Sequence, residues 1–176
     1  MTRCFVILFF LIFAFSFSCN VTHDEDEMYV PTDVLVKTDS TYSIAEVFNF
    51  INSFDFKVED ISSSLFYSTL PFDSIEYVKE YLTELEYYGT SQNSIEAYVH
   101  YRFNEILVSV SLRDMHKIGN QISWLNAMED LQLHEKPRYL IHFNVPKGQE
   151  RQWEKRFEEY GFVEWAELNY YIEVTY

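Results

Sequence analysis

The chain repeats itself. Leu65-Phe-Tyr-Ser-Thr-Leu-Pro71 recurs 75 residues later as Leu140-Ile-His-Phe-Asn-Val-Pro146. The same offset of 75 aligns Phe56 and Val58 with Leu131 and Leu133, and Val78, Leu82 and Leu85 with Trp153, Phe157 and Tyr160. An offset of 74 pairs Ile44, Phe48, Ile51 and Phe54 with Ile118, Ile122, Leu125 and Met128, and one of 72 pairs Val34-Leu-Val36 with Ile106-Leu-Val108. Single apolar runs align by chance easily, but blocks that keep their order along a whole body do not. The pattern predicts two structural repeats, Tyr29 to Phe103 and Glu105 to Tyr176.

Each repeat carries the same string of local signals. In the first, Asp33 to Thr38 reads as a strand, and Ser43 with Glu46 forms a capping box that opens a helix striped by Ile44, Val47, Phe48, Ile51 and Phe54. Strands follow at Phe56 to Asp60 and Ser64 to Leu70, then a helix capped by Asp73 and striped by Ile75, Val78, Leu82 and Leu85. After a loop at Gly89 to Ser94 comes a Tyr- and Val-rich strand, Ile95 to Phe103. The second repeat predicts strand Ile106 to Leu112, helix Lys117 to Met128, strand Asp130 to His134, a turn at Pro137 and strand Arg138 to Val145. Helix Gln149 to Tyr160, stopped by Gly161, and strand Val163 to Val174 complete it.

The order in each is βαββαβ, the pattern of the ferredoxin-like fold. The expectation is an α+β chain of two tandem ferredoxin-like repeats, 33–103 and 105–176: two four-stranded antiparallel sheets, each with helices on one face. Each repeat alone is marginal in size, and only Asn104 separates them, so they should form one unit.

The remaining residues read as an address. Met1-Thr-Arg3 precedes an apolar run, Cys4 to Phe15, followed by Ser16-Phe-Ser-Cys19, which describes a signal peptide over 1–18. The run is too short to span a bilayer. Cys4 leaves with the signal, so Cys19 is the one thiol of the mature chain and has no partner within it. This segment resembles a bacterial lipoprotein signal with a relaxed lipobox, Ser16 standing where Leu is commoner. The resemblance implies lipidation at Cys19 and a tether over 19–32; the competing reading is ordinary cleavage and secretion. Asp24-Glu-Asp-Glu27 is either a solvated spacer or similar to the surface-export signals of Gram-negative lipoproteins. The resemblance therefore places the chain in the cell envelope, at the outer membrane or cell surface. Asn20-Val-Thr22 also fits a glycosylation acceptor, which would matter only in a eukaryotic cell.

Charge excludes one class of partner. With 28 acidic side chains against 13 Lys plus Arg, the net charge of −15 argues against nucleic acid, whose phosphates are bound by displacing counterions with a cationic surface. No catalytic motif is present, no cofactor is implied, and Cys catalysis is excluded once Cys19 is taken by the lipid. His100, His116, His134 and His142 show no ligand spacing, so no metal is expected. Glu80, Glu84 and Glu86, like Glu154, Glu158 and Glu159, read as solvated helix faces.

The aromatic content, 19%, exceeds what a core needs. Tyr98, His100 and Arg102 alternate on one face of their strand, as Trp165, Glu167, Asn169 and Tyr171 do on theirs. With His142 and Asn144 they define a candidate recognition surface on the helix-free sheet faces. The competing arrangement packs the two bare faces together and buries those rings. Three functions follow as expectations. The first is an acidic, lipid-anchored module that binds a basic protein, in the manner of immunity-type inhibitors of secreted toxins. In strand and helix order it is similar to the inhibitor that restrains ribonuclease E, although the Gly-acid-Gly-Trp signature is absent after Gly89. The second is a small-molecule sensor or cofactor-free enzyme with His142, Asn144, His100 or Arg102 lining a pocket between the repeats. The third is a surface lipoprotein with a structural role alone.

Overall fold

The computed structural model describes residues 28–85, 87 and 97–171. The expected signal, Cys19, the acidic run, the Gly89 to Ser94 loop and the last three residues of the expected final strand lie outside them. The element order is β1 (Tyr29–Thr38), α1 (Ile44–Ile51), β2 (Lys57–Ser68), a 3-10 turn (Phe72–Ser74), α2 (Ile75–Thr83), β3 (Ala97–His100), β4 (Glu105–Arg113), α3 (Ile118–Asp130), β5 (Leu133–Lys136), β6 (Leu140–Asn144), α4 (Glu150–Glu158) and β7 (Val163–Tyr170).

All seven strands join one antiparallel sheet, ordered β3-β4-β2-β6-β1-β7, with β5 pairing β2 beyond the end of β6. This replaces the two four-stranded sheets expected from the element order, and the cause is local. The expected reversal between Asp60 and Ser64 would have to be made by Ile61-Ser62-Ser63, which offers no Gly, Pro or Asn to turn the chain. The chain runs straight on instead, shifting register on either side of Ile61, so two expected strands merge into the 12-residue β2. In the second segment Pro137 interrupts the ladder without reversing it, and β5 and β6 both run antiparallel to β2 along the same side.

Among the described residues every ladder joins an element before Asn104 to one after it. Strand β1 pairs with β6 and β7, β2 with β4, β5 and β6, and β3 with β4. Leu65 faces Ser109 across one ladder and Leu140 faces Lys37 across another, so the sequence offsets of 75 and 72 carry one ladder onto the other. The strand order reads the same from either end once the two segments are exchanged.

The helices cover one face of the sheet. Val34, Val36, Val58, Ile61, Phe66, Ile106, Val108, Leu112, Ile141, Phe143, Ala166 and Leu168 are buried beneath them in one core. Phe143 stacks on Phe157 of α4 at 4.7 Å and meets Phe50 and Phe54 of the α1 segment edge-on, while Phe66 meets Trp124 of α3 at 5.2 Å. The capping box of α1 forms as expected: Ser43 Oγ accepts from the Glu46 N–H, and a Glu46 carboxylate oxygen accepts from the Ser43 N–H at 2.8 Å. Glu135 reinforces that end of the helix, accepting the Ile44 N–H at 2.7 Å and a bond from the buried Tyr139 hydroxyl.

Other expectations are corrected. Asp73 sits inside the 3-10 turn, and α2 begins at Ile75 with Ser74 at its cap position making no side-chain bond. Gly161 does not adopt a positive φ, and α4 ends at the right-handed Glu159. Helix α3 turns a different side inward: Ile118 and Ile122 are 53% and 54% exposed, whereas Gln121, Trp124 and Ala127 are buried. An alignment of apolar letters placed the stripe one step round the helix, because a single Trp outweighs two Ile in buried area. None of the helices among the described residues is long and apolar enough to cross a membrane.

Candidate recognition surface

Alternation along each strand leaves one helix-free face, and because the sheet is single that face is continuous. Its middle is set by the ladders flanking β1. Leu35 lies opposite His142 on one side and Glu167 on the other; Lys37 lies opposite Leu140 and Trp165; Asp33 lies opposite Asn144. The Asn169 amide donates to Asp33 Oδ2 at 2.6 Å. Five of the sequence-predicted residues, His142, Asn144, Trp165, Glu167 and Asn169, are thus brought together.

The other four are not. Tyr98 and His100 stand on β3, the edge opposite β7, five strand spacings or about 24 Å away. The expected strand to Phe103 stops at His100, so Arg102 lies in the turn before β4 rather than on the face of a strand. There the His100 ring stacks on Phe103 at 4.7 Å and the Arg102 guanidinium sits 5.6 Å from the same ring. Tyr171 follows the end of β7, its N–H donating to the Met28 carbonyl at 2.8 Å, where it lines a shallow pocket with Met28, Pro31 and Lys147. That is roughly 20 Å along the strand from Trp165.

Beside the central patch lies an acid and imidazole pair. His142 Nε2 stands 3.6 Å from Asp60 Oδ1. Burial pushes the Asp60 carboxyl above the usual carboxylate range, against the pull of His142, a bond from the Ser111 hydroxyl and the charge of Arg113; Asp33 adds to the upward push. Asp33 Oδ1 and Asp60 Oδ1 are both buried without a hydrogen-bond partner. The Ser111 hydroxyl bonds the Asp60 carboxylate. The four histidines occupy separate places: His116 accepts from the Val58 N–H, and His134 stacks on Tyr67 at 5.2 Å. Among the described residues no group of three or more His, Cys, Asp or Glu side chains converges as metal ligands would.

Sequence reasoning missed a set of cations. An open groove of about 540 Å³ is lined by Lys37, Leu65, Lys136, Arg138, Glu164 and Trp165. Lys37 Nζ donates to the Arg138 carbonyl at 2.9 Å, and Lys136 Nζ lies 5.6 Å from the Tyr67 ring. Burial and the Arg138 charge lower the Lys37 ammonium below its ordinary pKa, with Glu164 opposing them. Lys37 and Arg138 are 101 residues apart in the chain, so only the pairing of β1 with β6 brings them together. No known family model matches the chain, and no curated protein is significantly similar to it.

Proposed function

We propose that the chain is a lipid-anchored protein of the cell envelope, held through Cys19 at the outer membrane or cell surface, whose helix-free sheet face binds a basic protein. An immunity-type inhibitor of a cationic toxin is the concrete form of this reading. The observation that carries it is the continuous face on which Trp165, Leu35 and Leu140 lie among Glu167, Asp33 and Asp60. Such a face offers an aromatic anchor with Glu167 on one side and Lys37 directly opposite, and the net charge of −15 would hasten the approach of a cationic partner.

We further read the two segments as copies of one ancestral unit, with β2 and the β5–β6 pair as equivalent central strands. The shared offsets in the ladders support this reading.

Two experiments test the proposal. Mass spectrometry of the native protein should find a diacylglycerol-sized addition that disappears in Cys19→Ala; an unmodified Cys19 would remove the anchor. Capture from envelope extract on immobilised chain should recover a cationic protein in low salt, release it in high salt, and fail with Glu167→Lys. Capture that ignores both salt and Glu167→Lys would refute the recognition surface. The second reading, small-molecule binding, is favoured by one observation, the cation-lined groove.

A further inference from the structure

In a chain where acids outnumber Lys and Arg by 28 to 13, three cations around one groove are out of character. The sheet supplies its own control for whether they are incidental. The ladder that places Lys37 opposite Leu140 has a counterpart that places Ser109 opposite Leu65. The matching position in the other half is therefore neutral, and the apolar partner alone is kept. A requirement of the fold would act on both halves; the cation appears in one.

The groove has the parts that bind a ring carrying an anionic group. Trp165, half-buried and directly opposite Lys37, gives an apolar wall, and Leu65 gives a second. Arg138 and Lys136 are exposed at the rim, so their donors are free to turn toward a ligand. Arg138 can grip a phosphate or carboxylate with two parallel bonds, and Lys136 can add a point charge. Lys37 is anchored by the Arg138 carbonyl and partly withdrawn from water, where an anion would gain most from its charge. The volume suits a ligand of the size of a sugar or arene phosphate.

We infer that the groove formed by Lys37, Leu65, Lys136, Arg138, Glu164 and Trp165, three cations against one carboxylate, is a binding site for a small organic anion, a ring bearing one phosphate or carboxylate group. The site shares Trp165 with the proposed protein-binding face, while its cations stand on β1, β5 and the β5–β6 connection rather than at Glu167. Ring contact with Trp165 and charge contact with Arg138 and Lys136 act together, so a ringless anion binds less well than one that carries a ring.

Titration calorimetry of the full mature chain in low salt with phenyl phosphate tests this. Saturable, salt-sensitive binding is expected, with inorganic phosphate several-fold weaker. Quenching of indole fluorescence should disappear in Trp165→Phe, although Trp124 and Trp153 remain. The double variant Lys136→Ala, Arg138→Ala changes exposed side chains and should keep its melting temperature while losing affinity at least about tenfold. Ser109→Ala at the mirror position should bind phenyl phosphate as the parent does. Absence of saturable binding, or undiminished binding by the double variant, would overturn the inference. So would attachment to phosphatidylglycerol vesicles by a chain that ignores soluble phenyl phosphate.

Discussion

Cutting the chain in the turn before β4, to give residues 28–103 and 104–176, should leave two fragments that are each unfolded. Among the described residues β1 has neighbours only in β6 and β7, β2 only in β4, β5 and β6, and β3 only in β4, so neither fragment alone retains any of these ladders. Helix α1 would lose Phe143 and Phe157, the rings against which Phe50 and Phe54 pack. Mixed together, the fragments should recover the whole sheet, because the cut removes only the advantage of tethering. A short connection gives an effective concentration on the order of 1 mM, so at roughly 10 µM of each fragment the loss is two factors of ten, about 2.8 kcal/mol. Against a domain stability of roughly 5 to 15 kcal/mol the complex survives. Far-ultraviolet dichroism and amide dispersion in NMR spectra would follow each fragment alone and the mixture, with sedimentation reporting mass. A monomeric fragment with dispersed amides and cooperative unfolding would refute the reasoning. Self-association of one fragment into a folded dimer would instead fit the equivalence of the two segments.

Further perturbations probe single links. Trp124→Ala should cost about 3 to 5 kcal/mol in urea unfolding, whereas Ile122→Ala, on the exposed side of α3, should stay within about 0.5 kcal/mol; a reversal would restore the expected stripe. Ser43→Ala removes one half of the capping box and should lower stability by about 1 kcal/mol, read from the denaturant midpoint. Burial holds the folded Asp60 carboxyl above its unfolded value of about 3.9, so the folded state binds the extra proton. The stability from this group is therefore complete below about pH 3.9 and is lost as pH rises through the folded pKa; carbon-detected titration should show the raised value, and Asp60→Asn should flatten that part of the profile.

Sequence signals were readable where they were local. The Ser43 and Glu46 box needs only residues three apart, and the alternation that buries Val34 and Val36 needs only one strand. The offsets of 72 and 75 reappear in the ladder registers, where Leu65 faces Ser109 and Leu140 faces Lys37. What the letters hid was direction and distance. Ser62 carries no mark that separates a bulge from a hairpin, and only the partner strands show that the chain goes on. The stripe on α3 was misplaced because counting apolar residues ignores their size. Glu167 and Asn169 could be found by alternation along one strand, whereas Lys37 and Arg138 meet only after the sheet has closed. Tyr98 looked like a companion of Trp165 because periodicity within a strand says nothing of that strand's rank in the sheet.

The interleaving of the two segments also governs when this protein can fold. Synthesis proceeds from the amino terminus, so β1 and β2 leave the ribosome while every strand that will pair with them is still unmade. At ordinary elongation rates the wait lasts several seconds. During that interval the nascent chain holds its apolar residues in an open form, exposed to chaperones and proteases alike.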